Sequence, residues 1–233
     1  MSIQINITEN GTKTLHTAGK YCDRNIDVNV DVPDHYDAFW DAFQVNGTRT
    51  DYQHAFRSGW TNDIFNPKYP LRPTNATSMF AATTITKHID VDTSACTVFD
   101  NMFSGAKSPT SIGIIDTRSA TTLNQAFAYM DNLQTIEKLI LKNDGSQTFS
   151  EQCFAWDGKL ANIVIEGTIG NTVSFMGCYN ITKASATSII NALSSTASGK
   201  KLSIQSSVKT RFTSTEWDTL VATKPNWTIS LLS

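Results

Sequence analysis

Met79-Phe80, Met102-Phe103, Ala126-Phe127, Cys153-Phe154 and Phe175-Met176 are five versions of one phrase, all within a stretch running from about Asn75 to Leu193. Each is followed by a small or polar turn and then by aliphatic residues. The phenylalanines Phe80, Phe103, Phe127, Phe154 and Phe175 are separated by 23, 24, 27 and 21 positions. Behind them come Ile89/Val91, Ile112/Ile114, Leu139/Leu141 and Ile163/Ile165, pairs that alternate with other residues as in a strand with one buried face. The unit is clearest from Phe127 onward, where Leu133, Ile136, Leu139 and Leu141 follow in order.

That spacing falls in the period of leucine-rich repeats, in which each unit supplies one strand and one irregular or helical return. One such unit cannot bury its apolar face alone, so neighbours have to stack. The expected fold is therefore α+β: a leucine-rich-repeat-like solenoid with a small β unit before it and a strand-helix-strand cap after it. The expected domains are a β head (1–33), an aromatic helical connector and N-terminal cap (34–74), the solenoid (75–194) and a C-terminal cap (195–233).

The flanks carry their own signals. Ile3, Ile5 and Ile7 alternate with polar residues, as do Ile26, Val28, Val30 and Val32, so both runs read as strands. Asn10-Gly11 between them is a hairpin-type turn signal, and Pro33 stops the second run. Tyr36, Phe39, Trp40 and Phe43 form one stripe of a short helix begun by Asp34 and ended by Asn46-Gly47. A second short helix is expected around Tyr52, Ala55 and Phe56. Ser185 reads as the cap of a helix carrying Ile189, Ala192 and Leu193. Near the end, Leu202 and Ile204 suggest a strand, Thr213 with Glu216 a capping box, and Trp227, Ile229 and Leu231 a final strand after Pro225.

Composition narrows the function. Over 233 residues, 17% are charged and the net charge is −2, so there is no bulk basic field to draw nucleic acid or anionic lipid. The first residues lack the basic start and apolar core of a secretory signal, and no apolar run is long enough to span a bilayer. Cys22, Cys96, Cys153 and Cys178 are scattered without a CxxC pair, and Cys153 and Cys178 beside the phenylalanines read as free, reduced and buried. His16, His35, His54 and His88 have no ligand-like spacing, and the usual nucleophile, phosphate-loop and zinc signatures are missing. No cofactor is implied.

If the strands bind something, the residues alternating with the buried aliphatics are the candidates: His88, Asp90 and Asp92, then Lys138 and Lys142, then Glu166. Two readings stay level for them. They form a continuous binding surface for a protein or glycan, or they keep a sheet soluble. Asp90 and Asp92 also share a strand face where two carboxylates could hold a cation or act as acid and base, although solvated strand residues are the ordinary case.

Gln152-Cys153-Phe154-Ala155-Trp156 and Ala126-Phe127-Ala128-Tyr129-Met130 resemble BspA-type leucine-rich repeats, without the proline that often follows the strand in that family. Ile7-Thr8-Glu9-Asn10-Gly11-Thr12, Gly19-Lys20-Tyr21 and Val28-Asn29-Val30-Asp31-Val32-Pro33 are similar to the openings of tail-associated proteins of phages and prophages of gut Gram-positive bacteria. Phe39-Trp40-Asp41-Ala42-Phe43-Gln44 through Pro67-Lys68-Tyr69 is similar to the connector of that group. The resemblance implies a non-enzymatic virion structural protein, anchored to other virion proteins by its head and displaying a surface for host attachment. The expected partners are bacterial surface proteins or glycans, a homo-oligomer is compatible with this reading, and the charge balance and the lack of a long apolar run argue against nucleic acid and membrane as partners. The alternatives are a bacterial cell-surface leucine-rich-repeat adhesin and a capsid decoration protein.

Overall fold

The structure, a computed structural model, describes residues 5–8, 12–15, 30–31, 41–58, 60 and 65–233. The chain divides into two compact units, one made of residues 1–49 with 67–69, the other of 50–66 with 70–233.

In the first unit, β1 (Ile5–Thr8) pairs antiparallel with β2 (Thr12–Leu15) and parallel with β3 (Val30–Asp31). β2 was not expected, because Thr-Lys-Thr-Leu offers one apolar residue and no alternation. The Asn10-Gly11 turn, Pro33, the helical stripe before Phe43, and Cys22, His16 and His35 lie outside the described residues. A helical turn at 41–43 leads into a left-handed stretch, Val45, Asn46 and Gly47, with φ of +50°, +50° and +82°. The buried Gln44 side chain fixes Tyr69 at both backbone groups: its Nε2 donates to Tyr69 O at 2.8 Å, and Tyr69 N donates to its Oε1 at 3.0 Å. Asp41 accepts from Lys68 Nζ at 2.8 Å and from the Tyr69 hydroxyl at 2.7 Å.

The second unit is organised by the recurring phrase. Phe80 stacks on Phe103 at 5.2 Å, Phe103 on Phe127 at 5.9 Å, Phe127 on Phe154 at 5.3 Å and Phe154 on Phe175 at 4.6 Å, all nearly coplanar. Phe56 adds a sixth ring, 5.1 Å from Phe80. Around it the chain makes turns, not the second short helix expected there. The rings stack because the backbones beneath them are hydrogen-bonded phrase to phrase. Phe56 N donates to Met79 O, Phe80 N to Met102 O, Phe103 N to Ala126 O and Phe127 N to Cys153 O. Two residues after each of the five phenylalanines the backbone turns left-handed, at Ala82, Gly105, Tyr129, Trp156 and Gly177.

The strands are short and mostly parallel. β4 (Ser111–Asp116), β6 (Thr135–Ile140) and β8 (Asn162–Glu166) form one sheet in that order. β5 (Thr122–Leu123) and β7 (Thr148–Phe149) form a second of two strands. β9 (Val173–Ser174), β10 (Lys200–Gln205) and β11 (Trp227–Leu232) form a third. Three helices follow β9 in the chain: α1 (Lys183–Ala192), α2 (Ser206–Lys209) and α3 (Ser214–Ala222).

This arrangement overturns the expected α+β leucine-rich-repeat-like solenoid. Such a fold needs one sheet running through every unit. Among the described residues the parallel strands break into small separate sheets, helices are few, and no sheet closes. The physical reason lies at β8. Its outer edge takes no further strand, because Ile163 N donates to Ser185 Oγ and Ile165 N to Ser188 Oγ, both at 2.9 Å. A helix, not a strand, therefore satisfies that edge. The cap of α1 is accordingly Thr182, whose hydroxyl accepts from Ser185 N, and not Ser185 as expected. The Thr213–Glu216 capping box is present, and β10 and β11 pair in parallel where Leu202, Ile204, Trp227, Ile229 and Leu231 suggested strands.

Candidate functional site

The outward face of the β4–β6–β8 sheet is set by which residues the core takes. Ile112 pairs with Ile136 and Ile136 with Ile163, forming one buried row that Ile89 joins through a bridge to Ile112. A second row runs Ile115, Leu139, Ile165. Between the rows lie two residues on β4 and β6 but only one on β8, an irregularity of the bulge kind. The extra residue turns Ile114 outward, opposite Lys138, at 48% exposure, and Ile115 fills the core. The expectation that Ile112 and Ile114 both face inward is thus corrected. Val164 on β8 is likewise outward and 50% exposed.

On this face four of the six candidate residues sit beside partners from neighbouring strands. His88 Nδ1 is 2.8 Å from Ser111 Oγ, and its Nε2 is 3.9 Å from Glu137 Oε1. Asp90 and His88 both lean over Gly113: a Cβ there would lie 3.1 Å from Asp90 Oδ1 and 3.2 Å from His88 Nε2. Glycine is thus what lets the two side chains close over β4. Lys138 pairs with Glu166 at 2.9 Å. All of these groups are exposed or half-buried, so each pair adds about 1 kcal/mol at most.

Asp92 stands apart, at the edge of a shallow groove of about 460 Å³ between Leu71, Asp90, Asp92, Ile114, Asp116 and Ile140. Its carboxylate accepts from Ser94 N and Oγ and from Arg72 Nε, and these contacts, the Ser94 hydroxyl foremost, hold it below the usual carboxylate range. Asp116 is held low in the same way by Arg118, whose Nη2 approaches to 2.6 Å. Two carboxylates that both stay ionised suit ion pairing, whereas an acid–base couple needs one of them to keep its proton. Lys142 is placed differently again. Its backbone N–H donates to Gln147 Oε1 at 2.7 Å, and its charge helps to lower Asp144, whose main support is Ser146.

Sequence reasoning missed Arg72, Glu137, Asp116, Arg118, Ile114 and Val164. One signal could have found Asp116: like Asp92-x-Ser94 and Asp144-x-Ser146, it is an aspartate accepting from the backbone N–H two residues on, the pattern of an Asx turn closing a strand.

The most perturbed ionisable group lies away from this face. Asp157 is fully buried, its Oδ1 accepts from Met130 N at 2.7 Å, and its Oδ2 has no hydrogen-bond partner among the described residues. Burial raises its carboxyl well above the ordinary value, and the nearby Asp131 adds to the rise. Cys96, Cys153 and Cys178 are free and buried; burial pushes the Cys96 thiol up to about 11 and the other two upward as well. Such thiols are inert packing residues.

Among the described residues no three His, Cys, Asp or Glu side chains gather as metal ligands, and no helix is long and apolar enough to cross a membrane. No protein-family model, curated protein or solved structure matches the chain.

Proposed function

We propose that the chain is a non-enzymatic, tail-associated structural protein of a phage or prophage virion, whose N-terminal residues 1–33 join other virion proteins. The outward face of β4, β6 and β8 would then meet a host surface protein or glycan. The observation that carries this reading is the character of that face. It is an open surface of polar pairs, the His88 imidazole beside the Glu137 carboxylate and Lys138 with Glu166, interleaved with the exposed aliphatics Ile114 and Val164. Mixed polar and apolar groups on an open sheet suit contact with a macromolecule. The similarity of the N-terminal motifs to tail-associated openings supports the location. Deleting residues 1–33 is expected to abolish incorporation into particles, and unchanged incorporation would sink the anchoring role. Replacing Ile114 and Lys138 together by Glu is expected to leave incorporation intact while reducing adsorption to host cells.

A further inference from the structure

Two of the sheet edges, those of β8 and β11, are treated in opposite ways. The outer edge of β8 is closed by the hydroxyls of Ser185 and Ser188. The outer edge of β11 is not closed: β11 pairs with β10 alone, from Lys200↔Trp227 to Gln205↔Leu232, with no other strand beside it among the described residues. Natural proteins guard such edges with charge, proline, a bulge or a covering element. Trp227-Thr228-Ile229-Ser230-Leu231-Leu232 carries no charge, no proline and no bulge, and among the described residues no strand covers it. The apolar row also stops short. Leu202 and Ile204 on β10 are fully buried, yet Ile229 beside the first is half-buried and Leu231 beside the second is 41% exposed.

We infer that β11 is a self-association edge whose partner is a second copy of this chain, pairing antiparallel about a twofold axis midway between the two copies of Ile229. An axis perpendicular to the sheet keeps the apolar rows of both copies on one side, so residues of like face meet. Ile229 then lies opposite Ile229 of the second copy, Trp227 opposite Leu231, and Leu231 opposite Trp227. On the other face Thr228 meets Ser230. From Trp227 to Leu231 each cross-strand pair is aromatic–aliphatic, aliphatic–aliphatic or hydroxyl–hydroxyl, the kinds that stabilise antiparallel neighbours, and only Leu232 at the strand's end meets a polar residue, Asn226. No charge faces its own image, as it would across a self-paired charged strand. The twofold pairing joins two three-stranded sheets into one of six and gives the exposed Leu231 a neighbouring strand. The inference stands whether or not the chain travels on a particle.

Sedimentation velocity on the full chain across a wide concentration range tests this. A dimer of twice 25.6 kDa is expected. Leu231→Lys, with its fold checked by circular dichroism, is expected to weaken dimerisation about tenfold or more. Chains carrying Ile229→Lys and Ile229→Glu should each be monomeric alone and form a heterodimer when mixed, because the register sets these two residues face to face. A wild-type chain that stays monomeric, a folded Leu231→Lys chain that dimerises like wild type, or a mixture that fails to pair would overturn the inference.

Discussion

Replacing Phe127 by Ala removes a ring from the middle of the phenylalanine column. Phe127 is fully buried, with Phe103 at 5.9 Å on one side and Phe154 at 5.3 Å on the other. Phe→Ala changes in cores cost about 3–5 kcal/mol, from lost transfer energy and from the cavity left behind. Two features place this site near the upper end. Stacked pairs add about 0.5–1.5 kcal/mol each beyond their area, and two are lost. The neighbours cannot collapse inward, because Phe103 N and Phe127 N are tied to Ala126 O and Cys153 O in the ladder. A loss near 4 kcal/mol is a large share of the roughly 5–15 kcal/mol that holds a typical domain. It corresponds to a melting temperature lower by about 8–16 °C at this size. Urea unfolding followed by near-ultraviolet circular dichroism reads it directly, with Phe127→Leu, which keeps most of the apolar volume but also loses both stacked contacts, as a companion expected to cost less than Phe127→Ala. A loss below about 1.5 kcal/mol for Phe127→Ala would mean that the column does not close the core as described.

Three further outcomes follow from single sites. Burial raises the folded-state value of Asp157, so its stabilising contribution is fully present below the unfolded value near 4 and is lost as pH rises through the raised folded value. The lowered acids Asp41, Asp92, Asp116, Asp144 and Glu216 act oppositely and only below about pH 4. Stability should therefore fall as pH rises above the unfolded value near 4, by no more than about 1.4 kcal/mol per pH unit, and Asp157→Asn should flatten that slope in urea titrations. Ser185→Ala strands the buried Ile163 N–H and should cost about 1–3 kcal/mol, with faster hydrogen exchange at that amide. Gly170→Ala would set a Cβ 2.2 Å from Gly145 O and should cost about 1–3 kcal/mol in thermal unfolding, whereas Gly158→Ala, with its nearest atom at 3.7 Å, serves as a mild control.

The phenylalanine column was legible because each ring has the same task in the same local phrase, and identical tasks leave identical residues. The C-terminal strands and the Thr213 capping box were legible for a similar reason, since period-two alternation and caps are local chemistry. The continuous sheet was not, because sheet continuity depends on what each strand meets across space. Ser185 and Ser188 look like helix residues in sequence and act as the hydrogen-bond acceptors that end a sheet. In Ile112-Gly113-Ile114-Ile115 three isoleucines compete for two core places, and only pairing with Ile136 and Leu139 decides that Ile114 goes outward. The candidate face was half legible. Alternation named His88, Asp90, Lys138 and Glu166, but Glu137 and Arg72 come from other segments, at distances along the chain that carry no period. Asp157, set in Trp156-Asp157-Gly158-Lys159, reads as an ordinary polar turn, and the backbone N–H that its buried carboxyl accepts belongs to Met130, 27 positions away.

Immunogold electron microscopy with antibody against this chain, on particles from an induced culture of the bacterium that encodes it, tests the proposed role most directly. Gold at the tail tip is the expected result and would direct the search to a host receptor. Particles that carry no label, prepared beside cells that do, would contradict a virion role.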